Sequence, residues 1–364
     1  MVQEVIQKKK NANIELLRII SMLMVTTLHA LGKSGLLRRV SLSDPVNGSI
    51  AWVLEVLSIC AVNVFMLISG YFLLNSEFRL RRWLEIIFQT LFYSLVPFLV
   101  CFALGIVKDE DLSIYGLLNY FAPIHTNTYW FMSAYVITYL FAPFLAAGIK
   151  TLEKKQVQTV IACLLVIACL FKSVLPFRFV IGGTGYDFFW YCIMFLLGAY
   201  FRKYGFQKLN SSAKGILVYL GACILILAET GVVSLLKEKT GRFKDFLSST
   251  RDYNQLFVLI AAIGLFAAFL HAKPLEGKVA KLICALSPLA LGVYLFQENL
   301  QLREEWQKWF GLPESLADPT YLFVLRILVA VFGMLILGMT VDALRTLLFK
   351  AIKKSFNPKK EIVE

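Results

Sequence analysis

The residues of this chain that are equipped for chemistry are few, and three of them share one apolar segment. The stretch NIELLRIISMLMVTTLHA carries Glu15, Arg18 and His29 among largely apolar neighbours. Ionisable groups inside such a run are costly, which makes them functional candidates. Arg18 and His29 are eleven positions apart. At about 100° per residue that is three turns plus about 20°, so the two side chains share one helix face. The rise between them is about 16.5 Å, which puts Arg18 near one end of the run and His29 deep inside it. Glu15, one turn before Arg18, is placed to pair with it. An imidazole in that position can take a proton from a hydroxyl or act as a nucleophile. The plainer alternatives are an Arg18 that snorkels to an interface and a His29 that packs against backbone.

Other candidates are scattered along the chain. Arg79, Arg81 and Arg82 form a compact cationic triplet, suited to clamping phosphate, or simply to fixing chain orientation. Ser69-Gly70 offers either a small polar contact or a close helix crossing. Tyr129 and Trp130 open the segment TYWFMSAYVITYLFAP, where an interfacial aromatic belt is expected. The stretch LGVYLFQENL contains Tyr294 and ends in Gln297-Glu298-Asn299, a polar end expected to enter water. Arg326 lies inside the last apolar run and requires a partner or an anionic ligand. His125 reads as a loop residue and His271 as an interfacial one. All seven cysteines sit in apolar runs without paired spacing, which points to small buried hydrophobes and no metal site.

These residues must be positioned by an unusually apolar chain. Of 364 residues, 58% are hydrophobic even without glycine and 17% are charged; about 45–50% and about 25% are usual in globular proteins, glycine included in the first figure. A soluble protein of this size has too little interior for that composition, so the solvent is a bilayer. Apolar segments fall at roughly 13–32, 50–74, 83–106, 128–148, 157–175, 187–201, 214–236, 254–272, 282–300 and 320–347, most of them near the ~20 residues a span needs. The expectation is an all-α, polytopic membrane protein with about ten transmembrane helices, its membrane domain at 13–347 between an N-terminal tail (1–12) and a basic C-terminal tail (348–364). No repeat is visible, and no cleavable signal peptide is evident.

The net charge of +13 tests the topology. With the N-terminus inside, 22 of the 37 Lys and Arg fall in cytoplasmic segments, including Lys8, Lys9, Lys10, Lys359 and Lys360. That bias favours both termini in the cytoplasm. Because the cations flank spans instead of forming one patch, nucleic acid is not an expected partner.

In this order the segments resemble the acyltransferase-3 family of integral membrane O-acyltransferases. Arg18 and His29 match the family's R-x10-H pair, residues 65–72 (FMLISGYF) a second motif, and Arg79 with Arg82 an R-x-x-R pair. Trp130, Tyr139 and Pro143 follow, and then the GVYL segment at 292–295. The NIELLR start and the YWF…Y…P helix are most similar to the polysaccharide-acetylating branch. Three positions depart from common family patterns: Asn63 where many relatives carry an acid, Tyr135 where a Glu occurs, and Gln297 where His occurs. No second acid or base is therefore carried over from those positions.

The resemblance implies transfer of an acyl group, usually acetyl, from cytoplasmic acyl-CoA to a hydroxyl of a surface polysaccharide or lipid-linked saccharide. The enzyme would sit in the cell membrane, with acyl-CoA as donor and no metal. His29 would be base or nucleophile, Arg79, Arg81 and Arg82 would hold the nucleotide end, and Arg18 would steady phosphate or developing oxyanion charge between them. Glu15, Asn63, Ser69, Gly70, Trp130, Tyr135, Tyr294, Gln297, Glu298, Asn299 and Arg326 would support the substrates. Composition alone fits two other classes, a glycan or lipid-precursor transporter and a sensing subunit without turnover. A transporter is expected to show repeats or helices broken in corresponding halves.

Overall fold

The computed structural model describes residues 11–39, 46–175 and 183–356. The basic positions Lys8, Lys9, Lys10, Lys359 and Lys360 lie outside the described residues. Among those described there are helices and no strands. In chain order they are α1 (Ala12–Lys33), α2 (Leu36–Arg39), α3 (Val46–Ser58), α4 (Ala61–Leu73), α5 (Leu80–Ala103) and α6 (Ile114–Phe121). Next come α7 (Trp130–Thr151), α8 (Lys154–Leu165), α9 (Phe171–Val174), α10 (Phe188–Tyr204), α11 (Ser212–Thr240) and α12 (Lys244–Ser249). The last five are α13 (Leu256–Leu270), α14 (Gly277–Leu286), α15 (Ala290–Gln297), α16 (Trp306–Trp309) and α17 (Thr320–Phe356).

Every apolar segment of the sequence is one helix or a pair end to end. Eight of these, counting α3–α4, α8–α9 and α14–α15 as continuous, are long and apolar enough to cross a membrane. The segments at 187–201 and 254–272 form the shorter α10 and α13. Local sequence sets the boundaries. The Asn11 side chain accepts from the amides of Asn13 and Ile14 to start α1, and Asp187 accepts from Trp190 to start α10. Gly241, at φ +67°, closes α11 in the left-handed conformation.

A buried centre is built by α4 and α10, with α7, α1 and α13 around them. Aliphatic side chains such as Leu99 and Val100 on α5, Leu217 and Ile224 on α11, and Leu325 and Ile336 on α17 remain exposed and face the lipid. Cys163 belongs to that exposed set, and Cys192 and Cys284 are only half-buried, which corrects the expectation that all seven cysteines are buried. Loops that the charge count assigns to one side meet one another. At one end Asn13 bonds the carbonyls of Ala272 and Lys273, and Lys203 those of Ile149 and Lys150. At the other, Asn47 bonds Leu316 and Asp318, Gln301 bonds Asp111, and buried Lys172 pairs with Asp252 at 2.6 Å.

The α4–α10 crossing depends on glycine. A Cβ on Gly70 would overlap the Phe195 carbonyl, and one on Gly198 would overlap the Leu67 carbonyl. Overpacking at such a contact costs about 1–3 kcal/mol or more. Gly198→Val is expected to reduce the detergent-stable folded fraction by about tenfold in size-exclusion profiles. Gly221, which has no atom near its would-be Cβ, should tolerate alanine; equal profiles for the two variants would contradict this packing.

Candidate active site

α1 carries Arg18 and His29 on the same face, as the spacing requires, yet they open onto two different cavities. His29 faces a small pocket of about 40 Å³ with Met22, Val25, Val62, Trp130, Tyr253 and Tyr294. Arg18 faces a cavity of about 810 Å³ that also receives Glu15, Ser69, Arg82, Tyr135 and Arg202. Phe65 of α4 and Phe131 of α7 line both spaces and form the wall between them.

His29 does not stand alone. Its Nδ1 lies 3.3 Å from Glu298 Oε1, and Lys33, one turn further along α1, bonds the same carboxylate oxygen. Glu298 is almost fully buried, with 5% of its side chain exposed. Nδ1 makes no hydrogen bond to this carboxylate, which accepts from Lys33, but a negative charge this close favours a protonated ring. The Gln297-Glu298-Asn299 end is thus not a helix end in water, as its polarity suggested. After α15 the chain folds back over the bundle, where Asn299 donates to the carbonyls of Tyr93 and Ser94 and Gln301 N–H bonds Asn299 Oδ1. These bonds pin the segment to α5 and fix Glu298 against α1. Gln297 is fully buried with neither amide atom hydrogen-bonded, and the hydroxyls of Tyr294 and Tyr191 are likewise unpaired. Tyr294 and Gln297 are one turn apart on α15, so they share a face toward the pocket side.

The large cavity is the cationic one. Glu15 accepts from Ser287 at 2.6 Å and sits 3.9 Å from Arg18, whose Nε makes no hydrogen bond. Arg82 reaches this cavity, but Arg79 and Arg81 do not line it; Arg81 is exposed and pairs with Glu85 at 2.9 Å. Their place in the triplet is taken by Arg202 at the end of α10, which lies over the Tyr71 ring at 4.9 Å and donates to its hydroxyl at 3.2 Å. Nothing in the sequence marked Arg202, because a basic residue at a helix end reads as an orientation signal.

Other candidates have structural employment. Asn63 donates to the Tyr253 carbonyl at 2.7 Å and accepts from Trp190 at 2.9 Å. A neutral amide can do both at once, which a carboxylate cannot, and this accounts for the missing acid. Gly70 is a packing glycine. Ser69 lines the large cavity while donating to Phe65 O. Arg326 needs no ligand, since Asp318 lies 2.7 Å away and the Phe310 and Gly311 carbonyls complete its shell. Tyr129 is fully buried, bonding Tyr93 O, and Trp130 lines the His29 pocket, so neither belongs to an interfacial belt. His125 is in an exposed turn and His271 caps α13, both away from the two cavities. Among the described residues, no group of three His, Cys, Asp or Glu is arranged to hold a metal.

On the far side of the His29 pocket from the arginines, Trp130, Tyr186 and Tyr253 form a stack with ring centroids 4.4–5.8 Å apart. The Tyr186 ring is exposed, and Tyr253 is buried beneath it. The arrangement places His29 beside the buried Glu298 carboxylate, with a cavity lined by Arg18, Arg82 and Arg202 behind Phe65 and Phe131, and the aromatic stack on the pocket lining.

No curated protein and no solved structure matches the chain. A family described as an acyltransferase domain matches residues 11–342, from the cap of α1 into α17 and across every residue of both cavities. With that match, the chain belongs to the acyltransferase-3 family and carries a multi-pass membrane acyltransferase domain.

Proposed function

We propose that this chain is an O-acetyltransferase of the cell membrane, moving acetyl from cytoplasmic acetyl-CoA to a hydroxyl of a surface polysaccharide or lipid-linked saccharide. The observation that carries this reading is the His29–Glu298 pair, separated by a single aromatic wall from a cavity lined by Arg18, Arg82 and Arg202. The cavity suits a nucleotide with several phosphates, since guanidinium groups offer paired donors to phosphate oxygens. The thioester end then projects past Phe65 and Phe131 toward His29. The stack of Trp130, Tyr186 and Tyr253 offers apolar ring faces to a sugar approaching from the opposite side.

In the transfer, His29 Nε2 takes the hydroxyl proton as the sugar oxygen bonds the thioester carbon. The tetrahedral intermediate collapses with cleavage of the C–S bond, and the imidazolium returns its proton to the departing CoA sulfur. Glu298 supports the transient positive charge on the ring. The unpaired hydroxyl of Tyr294, on the lining of the His29 pocket, is placed to donate to the developing oxyanion.

Two tests follow. A strain lacking the gene is expected to lose one O-acetyl group from its surface glycan, restored by the wild-type gene; unchanged glycan acetylation would defeat the proposal. Arg82→Ala combined with Arg202→Ala is expected to raise KM for acetyl-CoA by about 10²- to 10⁴-fold, since each charged hydrogen bond contributes about 1.5–3 kcal/mol. An unchanged dependence on donor concentration would remove these arginines from donor binding.

A further inference from the structure

We infer that Trp52, Glu55 and Arg251 form a sugar-binding subsite beside the aromatic stack, taking neighbouring hydroxyls of the saccharide whose reacting hydroxyl meets His29. This subsite rests on the acceptor reading of the stack and supplies the polar contacts that the rings lack. Trp52 and Glu55 are one turn apart on α3 and share a face. Arg251 comes from the turn ahead of α13, two residues before Tyr253, and lies over the Trp52 ring at 4.5 Å. Burial raises the phenols of Tyr186 and Tyr253, and the Glu55 charge adds to this at both rings, so the carboxylate stands close to the stack. Tyr253 belongs to the stack and also lines the His29 pocket, which joins the cluster to the reacting site.

These side chains are held in place without being satisfied. Glu55 and Trp52 are each 8% exposed. Glu55 Oε2, Arg251 Nε and Trp52 Nε1 make no hydrogen bond. Arg251 Nη1 stops 3.9 Å from Glu55 Oε1, beyond hydrogen-bond length. The gap is not slack in the turn. Next to Arg251, Asp252 closes on Lys172 at 2.6 Å, the Tyr253 amide donates to Thr184 O at 3.1 Å, and Asn63 holds the Tyr253 carbonyl. Buried polar groups left open are costly, and three in one cluster call for an occupant that completes them.

The chemistry of the cluster selects that occupant. Glu55 accepts, Arg251 and Trp52 donate, and the two charges cancel, so a net ion gains little here. A sugar hydroxyl both donates and accepts. Neighbouring hydroxyls of one ring can give to Glu55 and take from Arg251 together, while an apolar face of the saccharide lies on the rings. The Arg251 side chain, 25% exposed, is the part a ligand meets first.

The test uses purified protein in lipid nanodiscs, radiolabelled acetyl-CoA and the surface-glycan fraction of a deletion strain, with initial rates measured against glycan and against donor. Glu55→Gln and Arg251→Gln should each raise the glycan concentration for half-maximal rate by about tenfold or more, the size of a lost charged hydrogen bond. KM for acetyl-CoA should stay near the wild-type value, a split that general loosening of the fold would not give. Trp52→Phe keeps a ring under Arg251 and removes only the indole N–H. It carries the test where a charge variant fails to accumulate, and should raise the half-maximal glycan concentration severalfold. An unchanged glycan dependence with continued transfer overturns the subsite while leaving the acetyltransferase reading intact. An equal rise in KM for the donor overturns it as well, because it marks distortion of the bundle. Wild-type protein that forms no glycan ester defeats the acetyltransferase reading itself.

Discussion

His29→Ala is expected to abolish acetyl transfer, lowering turnover by at least about 10³-fold while the protein inserts and purifies normally. His29 is the only histidine among the described residues that lines either cavity. No other titratable side chain of the small pocket is suited to accept a hydroxyl proton: its remaining lining is apolar or aromatic. The substitution also removes a ring that contacts Tyr294 at 6.4 Å, so folding should be checked by size-exclusion profile beside the rate. Retained turnover in a well-folded variant would mean that the hydroxyl is activated elsewhere.

Glu298→Gln is the second large effect. The amide keeps the shape of the side chain but carries no charge to balance a protonated ring, and it also deprives Lys33 of its carboxylate. Turnover should fall by about 10²- to 10⁴-fold, the range seen when the group that orients a catalytic histidine loses its charge. KM for acetyl-CoA should change little, because Glu298 contacts His29 and Lys33 and does not line the arginine cavity. A fall in donor affinity without a fall in turnover would place Glu298 in donor binding instead of beside the base. Single-turnover rates with saturating donor separate the two outcomes.

Much of the architecture was legible in the residue order. Ten apolar segments became helices because each is strongly apolar, and in lipid such segments have little alternative to helix. The register of Arg18 and His29 followed from helical period alone. The partners of those residues did not. Glu298 sits at a helix end beside other polar residues, a pattern usual for a loop in water, and only the fold-back pinned by Asn299 buries it. Arg326 looked functional because it interrupts an apolar run, yet its answering charge, Asp318, stands eight residues earlier, just ahead of α17. Phe65 and Phe131 were invisible as individuals, since a phenylalanine in a membrane helix is ordinary until two cavities are found on either side of it. Arg202 was hidden because a basic residue at a helix end reads as an orientation signal.

The proposed acetyl transfer rests on the cavity behind the wall and the His29–Glu298 pair together. It is most directly read by incubating purified protein in lipid nanodiscs with acetyl-CoA, radiolabelled in the acetyl group, and the surface-glycan fraction of the deletion strain. Label should move to the glycan as an ester labile to mild base, with the wild-type protein and not with His29→Ala. Label that stays on the donor with folded wild-type protein, or reaches the glycan equally well with His29→Ala, would contradict the mechanism.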